Sequence, residues 1–200
     1  MSILDEALQS LGISLKITTQ TSISPYYRAF SDDFHQTIYL SHPSVSGLTI
    51  HHQSIIRFLL YRECLSLKNR STLKSLSLSS LLTLLACLTT GRLVPTSLKR
   101  WLFSLILSGL LFPLLYIYLQ RRYRLRHTFR ACNVLHSKNF IESIVYYLAY
   151  LHTLQEKKIN RLLVIEPTLD EQIKLLKSVC EGYNIPEGRN LYLYRQNVGG

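Results

Sequence analysis

Residues 57–70 read RFLLYRECLSLKNR, and this stretch decides how the rest of the chain is interpreted. It lies within residues 51–70, where four aliphatic residues recur at the spacing of one helical face: Ile55, Ile56, Leu59 and Leu60. The pattern predicts a helix of which one side is buried. Glu63 lies at the next position of the same face.

The frame from Arg62 to Ser66 has the spacing of a zinc-binding helix. In His-Glu-x-x-His, two imidazoles four residues apart project from one helical face onto a single Zn²⁺. Arg62 and Ser66 occupy those two positions here, and only Glu63, which would polarise a zinc-bound water, is retained. A guanidinium stays protonated and offers no lone pair to a metal. We therefore expect no bound metal and no cofactor.

The chain has 200 residues and a formal net charge of +11, and its basic residues crowd against apolar runs. Before the first run stand Arg57, Arg62, Lys68, Arg70 and Lys74, and after the second stand Arg121, Arg122, Arg124, Arg126 and Arg130. This placement is typical of a chain beside an anionic membrane surface. No nucleic-acid motif accompanies it, so we expect a lipid bilayer as partner and no nucleic acid.

Two apolar runs, residues 75–90 and 101–119, are joined by a short connector and predict a helical hairpin. The second run is uncharged and meets the roughly 20 residues that a bilayer core requires; the first is short for a span. The alternative is a buried hairpin inside a soluble domain. The outer flanks are more basic than the connector, which favours an integral membrane protein with its soluble parts on the cytoplasmic side.

The remaining pattern predicts an α+β chain that is mostly helical. Helices are expected at 2–12, 121–135, 139–157 and after Pro167, and strands at 13–18, 26–30 and 37–40, with a further strand at 191–194. The four cysteines are scattered without a Cys-x-x-Cys pair, which argues against a zinc ribbon.

Read in order, these segments resemble the membrane-bound M48 peptidases, the HtpX-like and CAAX-processing type. Residues 24–30 (SPYYRAF) look like the family's Asn-Ala-Phe strand, and residues 36–40 look like the following strand, which edges the active-site cleft. Residues 55–70 resemble the zinc-binding helix, and the hydrophobic hairpin comes next, as it does in that family. Residues 121–132 and 140–154 resemble the two helices after it, and residues 166–176 (EPTLDEQIKLL) are similar to the His-Pro-x-x-x-x-Arg-Ile-x-x-Leu ending.

The departures from the family pattern fall on the chemistry. Arg62 and Ser66 stand at the zinc histidines, Glu166 stands at the late histidine, and residues 123–131 contain no carboxylate for the third ligand. His127 lies near that third position. The resemblance thus implies no catalytic residue but a vestigial site of Arg62, Glu63, Ser66 and His127, with Glu63 expected to pair with Arg62, Arg70 or the arginines at 121–126.

The resemblance also implies a domain organisation. Residues 1–72 would be the N-terminal half of an M48-like domain with a small sheet and zincin-like helices, residues 73–119 the transmembrane hairpin, and residues 120–185 the helical second half, followed by a tail at 186–200. The expected function is that of a membrane-anchored, catalytically inactive peptidase-like protein. It would bind, chaperone or regulate membrane proteins, with an extended peptide as a possible partner.

Two alternatives stay open. The bilobed hairpin is similar to that of the inclusion-membrane proteins of intracellular bacteria, which implies a membrane scaffold with separate or coiled structures on either side. An active membrane metallopeptidase with atypical ligands would need histidines or carboxylates that converge elsewhere. The histidines at 51–52, His127 with His136, and the Asp32, Asp33 and His35 cluster are the nearest candidates, and each is better explained as structural.

Overall fold

The computed structural model describes residues 2–14, 16–44, 49–91, 97–159 and 164–185. Within these ranges the helices and strands are α1 (Ile3–Ser10), β1 (Thr18–Ile23), β2 (Arg28–Asp32), β3 (Thr37–His42), α2 (Ile50–Lys68), α3 (Ser71–Gly91), α4 (Ser97–Ser137), α5 (Ile141–Glu156) and α6 (Leu169–Gly182). This confirms a mostly helical chain with a small sheet. The predicted strand at 191–194 lies outside the described residues.

The sheet has β3 at its centre. β1 pairs with β3 in parallel, and β2 pairs with β3 antiparallel on the other side. The edges of the sheet are therefore β1 and β2. The predicted strand at 13–18 is wrong, since pairing with β3 starts only at Thr18. The alternation there reflects packing, with Ile13 half-buried against the core and Ile17 buried in it.

Helix α2 is the central element of the fold. Thr49 caps its N-terminus by accepting a hydrogen bond from the amide of His52 at 3.4 Å. No glycine or proline interrupts the sequence from Ile50 to Lys68, and Arg70, at φ +47°, turns the chain into α3. α2 packs against α1, β2, α4 and α5, so side chains on nearly every face of it are buried.

Helices α3 and α4 pack against each other as the predicted hairpin. Both are long and apolar enough to cross a membrane, with mean hydropathies of 1.4 and 2.2 in their most apolar windows. α3 has 21 residues and is about 32 Å long at 1.5 Å per residue. The helix is therefore longer than the apolar run at 75–90 from which it was predicted. Leucines on both helices are exposed, among them Leu84, Leu88, Leu110 and Leu114.

Helix α4 continues without a break past the end of its apolar segment at Leu119. Its 41 residues replace the two separate helices that the sequence predicts at 101–119 and 121–135, and Pro113 lies inside it. Residues from Gln120 onward leave the apolar segment and enter the folded domain, where buried positions recur at helical spacing: Arg124, His127, Thr128, Ala131, Cys132 and Leu135.

One hydrophobic core contains residues from both sides of the hairpin. Side chains of α1, the sheet and α2 pack in it against those of α4, α5 and α6. Tyr150 of α5 both receives a hydrogen bond from the amide of Tyr27 at 2.9 Å and donates one to its carbonyl at 3.3 Å. Phe58 of α2 stacks on Tyr147 of α5 with ring centroids 4.2 Å apart. The two halves of the chain thus share one interior around α2.

Candidate functional site

Arg62 lies at the centre of a buried polar cluster on α2. Its side chain is 1% exposed, although it is the largest of the fully buried side chains. The guanidinium donates from Nε to Glu63 Oε1 at 2.9 Å, from Nη2 to Glu166 Oε1 at 3.0 Å and from Nη2 to the carbonyl of Ala29 at 3.2 Å. It therefore ties α2 to strand β2 and to the segment before α6.

Arg124 of α4 supplies the second positive charge. Its Nη1 donates to Glu63 Oε1 at 3.1 Å and to Glu166 Oε1 at 3.3 Å, and it reaches the carbonyl of Ala29 at 3.4 Å. Two arginines thus share two carboxylates that are each 1% exposed, and the formal charge of the four groups is zero. We call Arg62, Glu63, Arg124 and Glu166 the ionic cluster. Such balance is needed because an unpaired charge in this interior would be strongly destabilising.

A chain of hydrogen bonds continues the ionic cluster into the helical half of the domain. Arg62 Nη1 donates to the hydroxyl of Tyr147 at 3.3 Å, and that hydroxyl donates to Gln172 Oε1 at 3.1 Å. The amide of Gln172 then donates to the carbonyl of Pro167 at 3.1 Å. Pro167 directly follows Glu166, so the chain of bonds fixes the segment that carries the second carboxylate.

The electrostatics of the cluster favour its charged form. Burial alone would lower the pKa of Arg62, but the fields of Tyr147, Glu63 and Glu166 raise it above its ordinary value. Burial likewise opposes ionisation of Glu63, yet Arg124 and Arg62 hold the pKa of that carboxyl below its usual 4.5. Burial raises the pKa of Tyr147 to about 12. At neutral pH Arg62 and Glu63 are therefore both charged and lie beside a neutral phenol.

Two residues of the predicted vestigial site make no hydrogen bond to the ionic cluster. Ser66 is buried one turn after Arg62, but its hydroxyl pairs with that of Ser71 at the start of α3. His127 is 1% exposed, and within the described residues neither of its ring nitrogens has a hydrogen-bond partner. Burial lowers the pKa of His127 to about 4, so the imidazole is neutral.

The cluster also contains residues that the sequence did not single out as a site. Tyr147 and Gln172 were missed, Arg124 was expected only as one of several arginines that could pair with Glu63, and Glu166 was considered only as the counterpart of a family histidine. A signal for Arg124 existed, because it lies three and four residues before His127 and Thr128 on the buried face of α4. No comparable signal existed for Glu166, which lies 104 residues from Arg62 in a segment between helices.

The other candidates have structural roles in this fold. Asp33 accepts hydrogen bonds from the amides of Thr72 at 2.7 Å and Leu73 at 3.0 Å, and so caps the start of α3. Asp32 instead binds the ring of the exposed His35 at 2.6 Å. Of the two adjacent histidines, His52 forms a hydrogen bond of 2.8 Å between its Nδ1 atom and the hydroxyl of Tyr27.

His51 packs edge-on against Tyr146, with ring centroids 4.3 Å apart, so the two adjacent histidines face different neighbours. His136 stacks on Tyr183, also away from His127. In the described ranges no three His, Cys, Asp or Glu side chains are grouped so that they could hold a metal ion.

No family model, curated protein or solved structure matches this chain.

The donor set does not fit the zinc that the resemblance to M48 peptidases implies. Both carboxylates that could bind a cation already accept hydrogen bonds from two guanidinium groups through their Oε1 atoms. Since a guanidinium cannot be deprotonated in a protein, Arg62 and Arg124 would repel a divalent cation from this position. The arrangement holds four segments of the chain together: β2, α2, α4 and the segment before α6.

Proposed function

We propose that this protein is a membrane-anchored, catalytically inactive domain of M48-peptidase type that acts by binding an extended segment of a membrane protein. The observation that carries the proposal is the ionic cluster. Arg62 holds the first ligand position of the His-Glu-x-x-His frame, and its guanidinium is locked between Glu63 and Glu166 at 2.9 and 3.0 Å. Hydrolysis that depends on a metal at this position is incompatible with that arrangement.

The core shared across the hairpin supports this proposal over the membrane scaffold. A scaffold defined by its hairpin alone predicts separate or coiled structures before and after it. Here α2, from before the hairpin, packs against α4 and α5, from after it. The ionic cluster also joins both sides, since Glu63 and Arg124 lie 61 residues apart and their side chains meet at 3.1 Å.

Strand β1 is the place where an extended peptide can be added. All its residues are exposed, and it pairs only with β3 within the described residues. The amides of Thr18 and Ser24 donate to the carbonyls of Gln36 and His42 at 3.2 and 3.0 Å, so alternate residues between them turn their backbone groups outward. The outward positions are 19, 21 and 23. An edge of this kind can accept a further strand by main-chain hydrogen bonds.

The experiment compares two variants of one outward residue. Thr21→Pro removes an amide that faces away from β3, and so blocks strand addition while keeping the sheet. Thr21→Val keeps that amide and a β-branched side chain. Both proteins would be titrated in detergent with an array of fluorescent unstructured octapeptides. We expect the same subset of peptides to bind the parent and Thr21→Val, and to lose binding to Thr21→Pro.

A hydrolysis assay completes the test. Labelled casein would be incubated with the parent protein and added zinc, with and without a chelator. We expect no casein hydrolysis that is inhibited by the chelator. Chelator-sensitive cleavage would refute the inactive assignment, whereas equal peptide binding by Thr21→Pro and Thr21→Val would refute the role of the β1 edge.

A further inference from the structure

A groove of about 740 Å³ lies between α4 and α6, just beyond the apolar segment of α4. Its walls combine apolar and aromatic side chains with three cations and one carboxylate. The residues used below are Tyr118, Arg122, Arg126, Phe129, Glu171 and Lys174. The volume is within the roughly 300–1,000 Å³ of small-molecule sites. The mixed lining favours a ligand with one anionic end and one apolar end.

In the part of the chain that the structure describes, the three cations of the groove form no ion pair. Arg122, Arg126 and Lys174 are all exposed. Glu171, the one carboxylate of the lining, is already used in the capping box of α6, where it accepts from the amide of Thr168 at 2.8 Å. The groove therefore presents a positive charge that is free to bind an anion.

The position of the groove matches the depth of lipid headgroups. Arg122 and Arg126 come three and seven residues after Leu119, or about 4.5 and 10 Å further along a helix that rises 1.5 Å per residue. If the apolar segment fills the hydrocarbon core, the headgroup layer covers roughly the next 5–8 Å. Arg122 lies within that layer, and the side chain of Arg126 can reach back to it because side chains on a helix tilt toward its N-terminus. Tyr118, 56% exposed, lies at the inner boundary of the layer, where interfacial aromatic residues are common. Phe129, about 15 Å beyond Leu119, closes the outer end of the groove.

A second groove of about 520 Å³ repeats this chemistry on the other side of Tyr123. Arg70 and Lys74 line it together with leucines of α3, including Leu78 and Leu81. Cations therefore flank the base of the hairpin on two sides, each beside apolar surface. This arrangement is complementary to the anionic face of a bilayer.

From these observations we infer that the groove between α4 and α6 binds an anionic phospholipid, with its phosphate held by Arg122, Arg126 and Lys174. The inference rests on the membrane anchoring in the proposed function but is independent of the peptide-binding edge. Each of the three cations should raise the affinity of the groove for an anionic lipid over a zwitterionic lipid by roughly fivefold. Two arginines together give about 25-fold.

The test is native mass spectrometry of the full chain in detergent, titrated with phosphatidylglycerol or phosphatidylcholine. The Arg122→Gln/Arg126→Gln variant should lose about 25-fold in phosphatidylglycerol affinity, and adding Lys174→Gln about fivefold more. The matched control is Arg130→Gln/Lys138→Gln, which removes two exposed charges further from the apolar segment and should keep the affinity of the parent. Circular dichroism would verify that all variants fold.

Different outcomes separate this inference from the proposed function. Equal retention of the two lipids, or an equal loss in the Arg130→Gln/Lys138→Gln control, overturns the lipid site. Competition by glycerol phosphate as strong as that by the lipid also overturns it, because the site would then bind free phosphate. Flotation with vesicles is measured separately: a protein that does not float refutes the membrane anchoring itself, whereas a protein that floats without headgroup preference refutes only the groove.

Discussion

Replacing Arg62 by methionine tests whether the ionic cluster holds the two halves of the domain together. The variant keeps an unbranched side chain of similar length, so it leaves little cavity. It removes the hydrogen bonds from the guanidinium to Glu63, Glu166, the Ala29 carbonyl and Tyr147. Two buried carboxylates then share the single charge of Arg124, and the interior carries a net charge of −1.

The expected cost follows from that uncompensated charge. Breaking a buried ion pair by removing one partner destabilises a protein by about 3–5 kcal/mol. For a chain of this length 1 kcal/mol corresponds to about 2–4 °C, so the apparent melting temperature should fall by roughly 6–20 °C. Adding Glu166→Gln removes the excess negative charge, so the double variant should recover most of the loss.

The assay is thermal unfolding in detergent, followed by far-ultraviolet circular dichroism at neutral pH. Arg57→Met is the matched control on the same helix, since Arg57 is only half-buried and its pair with Glu6 at 3.3 Å is partly exposed. We expect that control to cost no more than about 1 kcal/mol. A loss for Arg62→Met no larger than for Arg57→Met, or no recovery on adding Glu166→Gln, would refute the role of the cluster.

Two further predictions concern the helix faces around the cluster. The pKa of His127 is about 4 in the folded protein and near 6.5 in the unfolded protein. Between these pH values only the unfolded state binds a proton at this residue. The free energy of unfolding should therefore fall by about 3 kcal/mol as the pH drops from 6.5 to 4. The free energy of unfolding, measured from pH 4 to 6.5, should lose this pH dependence in His127→Phe and keep it in His35→Gln, a control at an exposed histidine. An unchanged pH profile in His127→Phe would contradict the burial of a neutral imidazole. Arg62→His/Ser66→His should take up more zinc than Arg62→His alone after incubation and desalting, because two histidines four residues apart share one helical face. Elemental analysis that finds equal zinc in the two variants would refute the proposed correspondence with the zinc-binding frame.

Local sequence patterns were sufficient for most helices and for the hairpin. The aliphatic spacing in α2 and the uncharged run to Leu119 depend on neighbouring residues only, and the structure has helices at both. The continuity of α4 was not predicted, because the charges after Leu119 suggested a boundary. No glycine or proline follows until Pro167, however, so nothing in the sequence interrupts the helix at that point.

The strand order and the ionic cluster depend on contacts between distant residues. The alternation at residues 13–18 is that of a strand, yet Ile13 and Ile17 pack on the core without a pairing partner, and only the register with β3 sets the start of β1. The sequence offered Arg62, Arg70 or the arginines at 121–126 as alternative partners of Glu63, and the structure pairs Glu63 with Arg62 and Arg124. Glu166 joins them only through tertiary folding, so no local pattern could indicate it.

The zinc content of the unmodified protein tests the central claim most directly. The full chain would be purified in detergent, incubated with excess zinc, desalted and measured by elemental analysis. Because two guanidinium groups bind the Oε1 atoms of both carboxylates and would repel a divalent cation, the account predicts a zinc content far below one ion per chain. About one zinc per chain, the content of a working metallopeptidase site, would contradict it.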